Sequence, residues 1–482
     1  MADWKQLIEP VSEVVWKIPK SGDMRVPGIF YISRRLLDKA LADNAPQQVV
    51  NVAKLPGILK FSLAMPDVHW GYGAPIGGVA AFSDREGIIV PGFVGYDINC
   101  GVRLIRSDLV ASEISGRIGK LVDALYVNIP SGVGSTGKIY LKRKQLEKVL
   151  LSGAPDAVNN GYGWASDLEH TEESGSMESA DPDAVSDRAY ERGAEQLGTL
   201  GSGNHFLEIQ QVVEIYEPEI ADVFGLFPDQ VVIMIHTGSR GLGYQVCDDY
   251  LRQFMKSAAK YGLQLPDMQL ASAPADSSEG KAYFAAMSSA ANFAWANRQI
   301  ITHWVRESFA KVLEMPPERL GLSVVYDVAH NIAKYETHAV EGKNLKVYVH
   351  RKGATRAFPS GHPDVPALYR KVGQPVIIPG TMGTSSYVLA GTATALAETW
   401  GSTCHGAGRM LSRHQAMKES RNRRIVEELA TKGIVARAKS RQGLGEEIPE
   451  AYKDVDEIVD VVVKAGLSKK VAKMKPLAVI KG

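Results

Sequence analysis

Val231-Val-Ile-Met-Ile-His236-Thr-Gly238 is a run of five apolar residues closed by a histidine and, two residues on, a glycine. A run this short, apolar and mostly β-branched reads as a strand buried on both faces. The histidine that ends it would stand at the rim of a sheet, where sites are commonly built. Three other segments have related form. Val324-Val-Tyr-Asp-Val-Ala-His330-Asn331 is a second apolar run ending in histidine. Gly201-Ser-Gly203-Asn204-His205 and Gly95-Tyr-Asp97-Ile-Asn99-Cys100-Gly101 are glycine-bounded turns that carry ligand-type side chains.

Working outward, strand-like runs fall at 87–91, 102–106, 231–236, 322–328, 345–350, 375–379 and 387–390. Helix-like stretches fall at 187–200, 279–313, 422–430 and 449–465. The alternation is too irregular for a doubly wound sheet. The expectation is a mixed α/β (α+β) fold with mixed sheets and surrounding helices, forming one large catalytic domain over residues 1–482. One site spread from residue 67 to the last residues argues against several domains. The acidic, Ser- and Glu-rich stretch 167–187 reads as an exposed insertion.

The 482 residues carry 55 Lys and Arg against 54 Asp and Glu, so no global basic field announces a nucleic-acid partner. The basic residues cluster locally in two places. One group is Arg409, Arg413, Lys418, Arg421, Arg423, Arg424, Lys432, Arg437, Lys439 and Arg441; the other is Lys346, His350, Arg351, Lys352 and Arg356. They read either as solvated faces or as phosphate-binding surface. Three cysteines, Cys100, Cys247 and Cys404, make no disulfide framework and fit a reducing compartment. The first twenty residues lack the apolar core of a secretory signal, and no apolar run is long enough to span a bilayer. The expected location is cytoplasmic, without a membrane, and a monomer is the default.

Asp97 and Cys100 are three residues apart and can face one cation from a tight loop. With His205, His236 and His330 they form a mixed hard and soft set suited to Mn, Fe, Co or Zn more than to Mg or Ca. Five candidates exceed a closed four-ligand structural site, which points to an open site or to two metals sharing Cys100. The bland alternative for any one of these histidines is a satisfied hydrogen-bonding role at a strand end.

Gly401-Ser-Thr-Cys404-His405-Gly406-Ala407-Gly408-Arg409 sets a histidine in a glycine-flanked turn followed by arginine, where a phosphate could approach the backbone. His405 suits three roles equally here: covalent nucleophile, general acid or ligand. Pro379-Gly380-Thr381-Met382-Gly383-Thr-Ser-Ser386 is a second candidate cradle. The chain has no complete G-x-x-x-x-G-K-[ST] and no K-x-D-G of lysine-dependent nucleotidyltransferases. Asp67 and His69, in Met65-Pro-Asp67-Val-His69, add a carboxylate able to orient a histidine and an imidazole beside it. Read as D-x-H with Gly203-Asn204-His205, they also suggest a binuclear metallophosphoesterase acting on nucleotides or RNA ends. Phe206 then stands where an acid should follow, and no G-D-x-x-D lies between.

Together these segments resemble the RtcB family of RNA-splicing ligases. The matching stretches are MPDVHWGYGAPIGG, GYDINCGVR, GSGNHFLE, HTGSRGLG, DVAHN, HRKGATRAFP, PGTMGTSSY, CHGAGR and the terminal KPLAVIKG, in family order from about residue 60 onward. The resemblance implies a GTP- and Mn²⁺-dependent ligase that joins RNA 3′-phosphate or 2′,3′-cyclic phosphate ends to 5′-hydroxyls, in tRNA splicing and RNA repair. It implies two Mn²⁺ ions, one on Asp97, Cys100 and His205, the other on Cys100, His236 and His330. His405 would carry GMP, Asp67 would orient its imidazole and Arg409 would offset phosphate charge. Asn204, His205, Phe206, Leu207, Glu208, His330, Asn331, Pro379, Gly380, Thr381, Met382, Ser386, Gly406, Ala407, Gly408 and Lys481 would line the guanylate pocket, with Tyr452 stacking on the base. RNA, either tRNA halves or broken ends, would be the partner, with an archease-type protein as a conceivable activator. The basic groups then read as RNA-backbone surface. A phosphoesterase, or a non-catalytic RNA-binding protein with a structural metal, are the readings to exclude.

Overall fold

The computed structural model describes residues 7–482, so the first six residues of the N-terminal stretch lie outside the described residues. The fold is mixed α+β and is built on two large sheets. In the larger, Ser323–Ala329, Gly101–Val110, Gln230–Thr237, Phe206–Ile215, Ser468–Lys481, Ser386–Gly391 and Pro375–Ile378 pair in that order, each antiparallel to the next. Val435–Ala438 adds to it in parallel beside Ser468–Lys481.

Alternation along Gln230–Thr237 explains why its sequence is apolar throughout. Val231, Ile233 and Ile235 pack into one core, whereas Val232 and Met234 pack into another on the opposite face. The first core is built around the helix Ser278–Leu313, as the sequence suggested at 279–313. Ser277 caps it by accepting from Gly280 N at 3.0 Å. Its Phe293, Trp295 and Ile301 are fully buried, each stabilising by about 1.5–3 kcal/mol on burial scales.

Antiparallel pairing brings alternate strand starts and ends to one rim of this sheet. Ala329 is level with Gly101, Gly101 with Thr237, His236 with Phe206, and Phe206 with Lys481. His330, Cys100, His236, His205 and Lys481 are therefore neighbours by topology. The second sheet runs Glu9–Pro10, Val15–Ile18, Gly28–Tyr31, Ile58–His69, Ile76–Ser83, Lys343–Lys352 and Asn331–Val340. It supplies Asp67. A short pair, Ala354–Arg356 with Ser402–Cys404, delivers His405 directly after its end.

Three expectations are corrected. The stretch 167–187 is exposed only in part: Glu169, Glu173, Glu178, Asp181, Asp183 and Asp187 are exposed as expected, but Asp167, Thr171, Glu172 and Met177 are buried. The Arg306 guanidinium donates to both Asp167 oxygens at 2.6 and 2.7 Å, and Lys334 binds Glu172, so these two acidic residues face inward to meet buried cations. The helix expected at 187–200 ends at Gly193. The stretch 449–465 divides into a short turn, Pro449–Ala451, and the helix Val455–Lys464. Tyr452 and Lys453 between them are extended because their backbone meets Arg409 and Gly408.

Candidate active site

The loop 97–100 is held by its own backbone and by a fully buried arginine. Cys100 N donates to Asp97 O at 3.0 Å, and His330 N donates to Cys100 O at 2.9 Å. Arg298 donates to Asn99 O and to Thr237 O at 2.9 and 2.8 Å, tying the turn to the neighbouring strand end. Gly238 is required here, since a Cβ would meet the Asp97 carboxylate at 2.4 Å.

On this frame the ligand atoms converge. Cys100 Sγ is 3.4 Å from His205 Nε2 and 3.4 Å from His236 Nε2, and His236 Nε2 is 3.4 Å from His330 Nε2. Asp97 Oδ2 lies 2.8 Å from His205 Nε2. The atoms form two sets, Asp97/Cys100/His205 and Cys100/His236/His330, with the thiol common to both. Burial holds the His236 and His330 imidazoles well below their usual range, so both present neutral nitrogens. Burial opposes the charge on Asp97, but His205 and Arg240 hold its carboxyl down to about 2. Asp97 Oδ1, His236 Nδ1 and His330 Nδ1 are buried without a partner.

Two neutral imidazole nitrogens aimed at each other, beside a thiol and a carboxylate, are lone pairs without enough protons. A divalent cation with bonds of about 2.0–2.3 Å fits donors so spaced. Asp67 and His69 belong to neither set, which removes the D-x-H ligation that a metallophosphoesterase reading requires. His69 Nδ1 instead lies 2.9 Å from Asp67 O.

His405 adjoins this cluster, its ring 4.8 Å from that of His330 between centroids. Its Nδ1 is 2.5 Å from Asp67 Oδ2, and its backbone N donates to the same oxygen at 3.1 Å. Burial works against the Asp67 charge, but His405 holds the carboxyl below its ordinary value. With a carboxylate as acceptor, Nδ1 carries the proton and Nε2 keeps a free lone pair. Gly408 has φ +69°, and a Cβ there would strike Asp67 O at 2.3 Å, so the turn closes on Asp67 only with glycine.

A cavity of about 390 Å³ opens beside His405. Asp97, Cys100, His236 and His330 line it, with Asn204, Phe206, Asn331, Pro379, Gly380, Thr381, Met382, Gly406, Ala407, Gly408, Arg409, Tyr452 and Lys481. A family model described as tRNA-splicing ligase RtcB matches residues 48–482. The chain belongs to the RtcB family. A relative from Thermococcus kodakarensis named tRNA-splicing ligase RtcB is 58% identical over 98% of this chain and 99% of its own length. One of the same name from Archaeoglobus fulgidus is 54% identical over 99% of both. A longer relative from Pyrococcus abyssi, also so named, is 58% identical over 84% of this chain but 44% of its own length.

Some expected site residues of this RtcB-family chain sit behind the cavity wall. Ser386 Oγ accepts from Gly380 N and from Gln210 Nε2, each at 3.0 Å, and so supports the 379–382 turn. Glu208 Oε1 is buried without a partner, and burial pushes the carboxyl up to about 8 against the pull of Gln210 and Lys481. The Leu207 side chain packs in the core, so a nucleotide could reach only its backbone. Arg409 donates to Glu447 at 2.9 Å, to Tyr452 Oη at 3.1 Å and to Glu446 O at 2.8 Å, bracing the wall that holds Tyr452. Glu447 and Arg240, which lies 3.4 Å from His205 Nδ1, were missed from sequence. Arg240 stands in the matched HTGSRGLG stretch, which was the available signal; Glu447 had none.

The second basic group is not a surface. His350, Arg351, Lys352 and Arg356 are buried, and only Lys346 of that group is exposed. Arg351 pairs with Glu336, Arg356 with Glu173, and Lys352 donates to three backbone carbonyls. In the first group Arg423, Arg424 and Arg437 pair with nearby carboxylates, leaving Lys418, Arg421, Lys432 and Lys439 among the exposed cations. Among the described residues, no helix is long and apolar enough to cross a membrane.

Proposed function

We propose that this protein is a GTP- and Mn²⁺-dependent RNA ligase that works through GMP bound covalently to His405. The observation that carries the reading is the His405–Asp67 pair beside the convergent Asp97, Cys100, His205, His236 and His330 donors. Two Mn²⁺ ions, held by the two donor sets, would neutralise charge on the reacting phosphate oxygens.

Asp67 keeps the His405 proton on Nδ1, and the Nε2 lone pair attacks the α-phosphorus of GTP. The N–P bond forms as the bond to the β-phosphate oxygen breaks, and pyrophosphate leaves. An oxygen of the RNA 3′-phosphate then attacks that phosphorus, the N–P bond breaks and GMP passes to the RNA end. Finally the 5′-hydroxyl attacks the RNA 3′-phosphorus, and GMP departs as the phosphodiester forms. A cyclic end is first opened by water to the 3′-phosphate. Lys481, which lines the cavity, would meet the polar edge of a guanine and Tyr452 its face, with Ser386 and Glu208 supporting the wall from behind. RNA with broken ends is the partner in this reading, and a cytoplasmic monomer served by an archease-type activator is the setting that goes with it.

Incubating the protein with radiolabelled GTP and Mn²⁺, followed by a denaturing gel, tests the proposal. Wild type is expected to retain label, and His405→Ala to retain none while binding metal as wild type does. Label that survives in His405→Ala at comparable yield would remove His405 from the reaction.

A further inference from the structure

Asp67 lies in a stretch of its strand that has left the ladder. Ile58–His69 pairs with Ile76–Ser83 through Ala64, and the register then shifts before His69 rejoins at Ile76. A bulge of this kind re-aims a side chain, here the Asp67 carboxylate toward His405. It also frees backbone carbonyls that must find other donors. Lys453, 6% exposed, supplies them: its ammonium donates to Pro66 O at 3.1 Å and to Val68 O, the carbonyls flanking Asp67.

The backbone of the same residue reaches the nucleophile turn. Lys453 N donates to Gly408 O at 2.9 Å, Met410 N donates to Ala451 O at 2.8 Å, and Arg409 bridges Tyr452. One residue thus grips both halves of the His405–Asp67 pair, and it lies outside the cavity lining. No carboxylate forms an ion pair with it among the described residues, so its charge is spent on the bulge and on the field at Asp67. Burying a lysine for two carbonyls alone is costly, and a neutral donor would satisfy them more cheaply.

We propose that Lys453 is a positioning residue for the reaction at His405, holding the Asp67 bulge in the aim that fixes the imidazole's orientation. The inference rests on the proposed histidine–GMP chemistry. Lys453→Met keeps length and apolar bulk but removes the donors. Its rate of self-guanylylation at saturating GTP should fall on the order of 10–100-fold, the loss typical of a small misplacement. The GTP concentration at half-saturation and the bound metal should stay near wild type, because Lys453 touches neither.

A role through Asp67 has a further signature. In an Asp67→Asn background, Lys453→Met should cost no additional rate, whereas an independent structural defect would multiply with it. Lys453→Arg, which restores donors, should recover part of the loss. If Lys453→Met does not fold, Lys453→Gln is read in the same cycle. An unchanged saturating rate, or losses that multiply, overturns the inference while wild type still forms the adduct. A wild type that forms no adduct overturns the ligase reading and this inference together.

Discussion

Two buried polar clusters grow from the same pair of strands and have opposite character. Gly101–Val110 carries Arg103 three residues after Cys100, and Ser323–Ala329 carries Asp327 three residues before His330. Inward, Asp327 accepts from Arg103 Nε and from Arg298 Nε and Nη2, each at 2.8 Å. Gln299, Thr302 and Thr171 take the remaining Arg103 donors. Outward, at the rim, Cys100, His236 and His330 face one another with neutral nitrogens and unpartnered atoms. The inner cluster is complete in itself and serves as framework. At the rim the facing donors of Cys100, His236 and His330 have no counter-charge between them, an arrangement that could hold a cation.

The comparison is broken most directly at Cys100. If its thiolate completes both donor sets, Cys100→Ser should weaken metal at both by more than the roughly 100-fold an outer partner can cost. Elemental analysis showing two metals per chain in the variant would make the cysteine a packing residue. Burial pushes the metal-free Cys100 thiol well up, so metal uptake should release its proton and affinity should rise with pH.

The inner cluster makes the complementary claim. Asp327→Ala leaves two buried guanidinium groups without their shared carboxylate, and breaking such a buried pair costs on the order of 3–5 kcal/mol. Urea melts of the metal-free protein should show that loss. A variant as stable as wild type would mean that Arg103 and Arg298 are held by their neutral partners alone.

The rim cluster was legible in the sequence because each member ends or begins an apolar run, so pattern and chemistry coincide at one residue. The inner cluster was not. Asp167 and Glu172 looked like solvent-facing acid, since their partners Arg306 and Lys334 are 139 and 162 residues away. Arg351 and Arg356 looked like surface for the same reason, their partners Glu336 and Glu173 standing on other elements, while Lys352 is buried against backbone carbonyls that no charge pattern reveals. The strands around 102–106, 231–236, 322–328 and 345–350 and the helix Ser278–Leu313 were read well. Ile76–Ser83, Phe206–Ile215, Asn331–Val340 and Ser468–Lys481 were not among the expected runs, and Ile58–His69 was missed because its bulge and Pro66 interrupt the pattern.

Glu208 stands between the two regimes, with one oxygen bonded by Gln210 and the other unpartnered. Its folded value of about 8 lies above the ordinary 4.5, so the folded state holds a proton that the unfolded chain has lost between those values. Stability of the nucleotide-free protein should be fully present below about 4.5 and should decline toward pH 8, by at most about 1.4 kcal/mol per unit. Glu208→Gln should remove that slope. An unaltered slope would assign it to other groups.

The smallest effect expected is also the sharpest test of the contrast. His236→Gln replaces a rim imidazole by an amide of similar volume, in a position flanked by Cys100 Sγ and His330 Nε2. The amide brings N–H donors to a place where lone pairs converge, which offsets the packing lost with the ring. Metal-free stability should therefore stay within about 1 kcal/mol of wild type, far from the loss at Asp327. With Mn²⁺ present the order reverses: wild type should gain stability from binding, and the variant, short of a ligand, should gain less. Melting both proteins with and without metal reads this directly. If His236→Gln were as damaging without metal as Asp327→Ala, the rim would be a self-sufficient structural cluster, and its unpaired atoms would no longer mark a cation site.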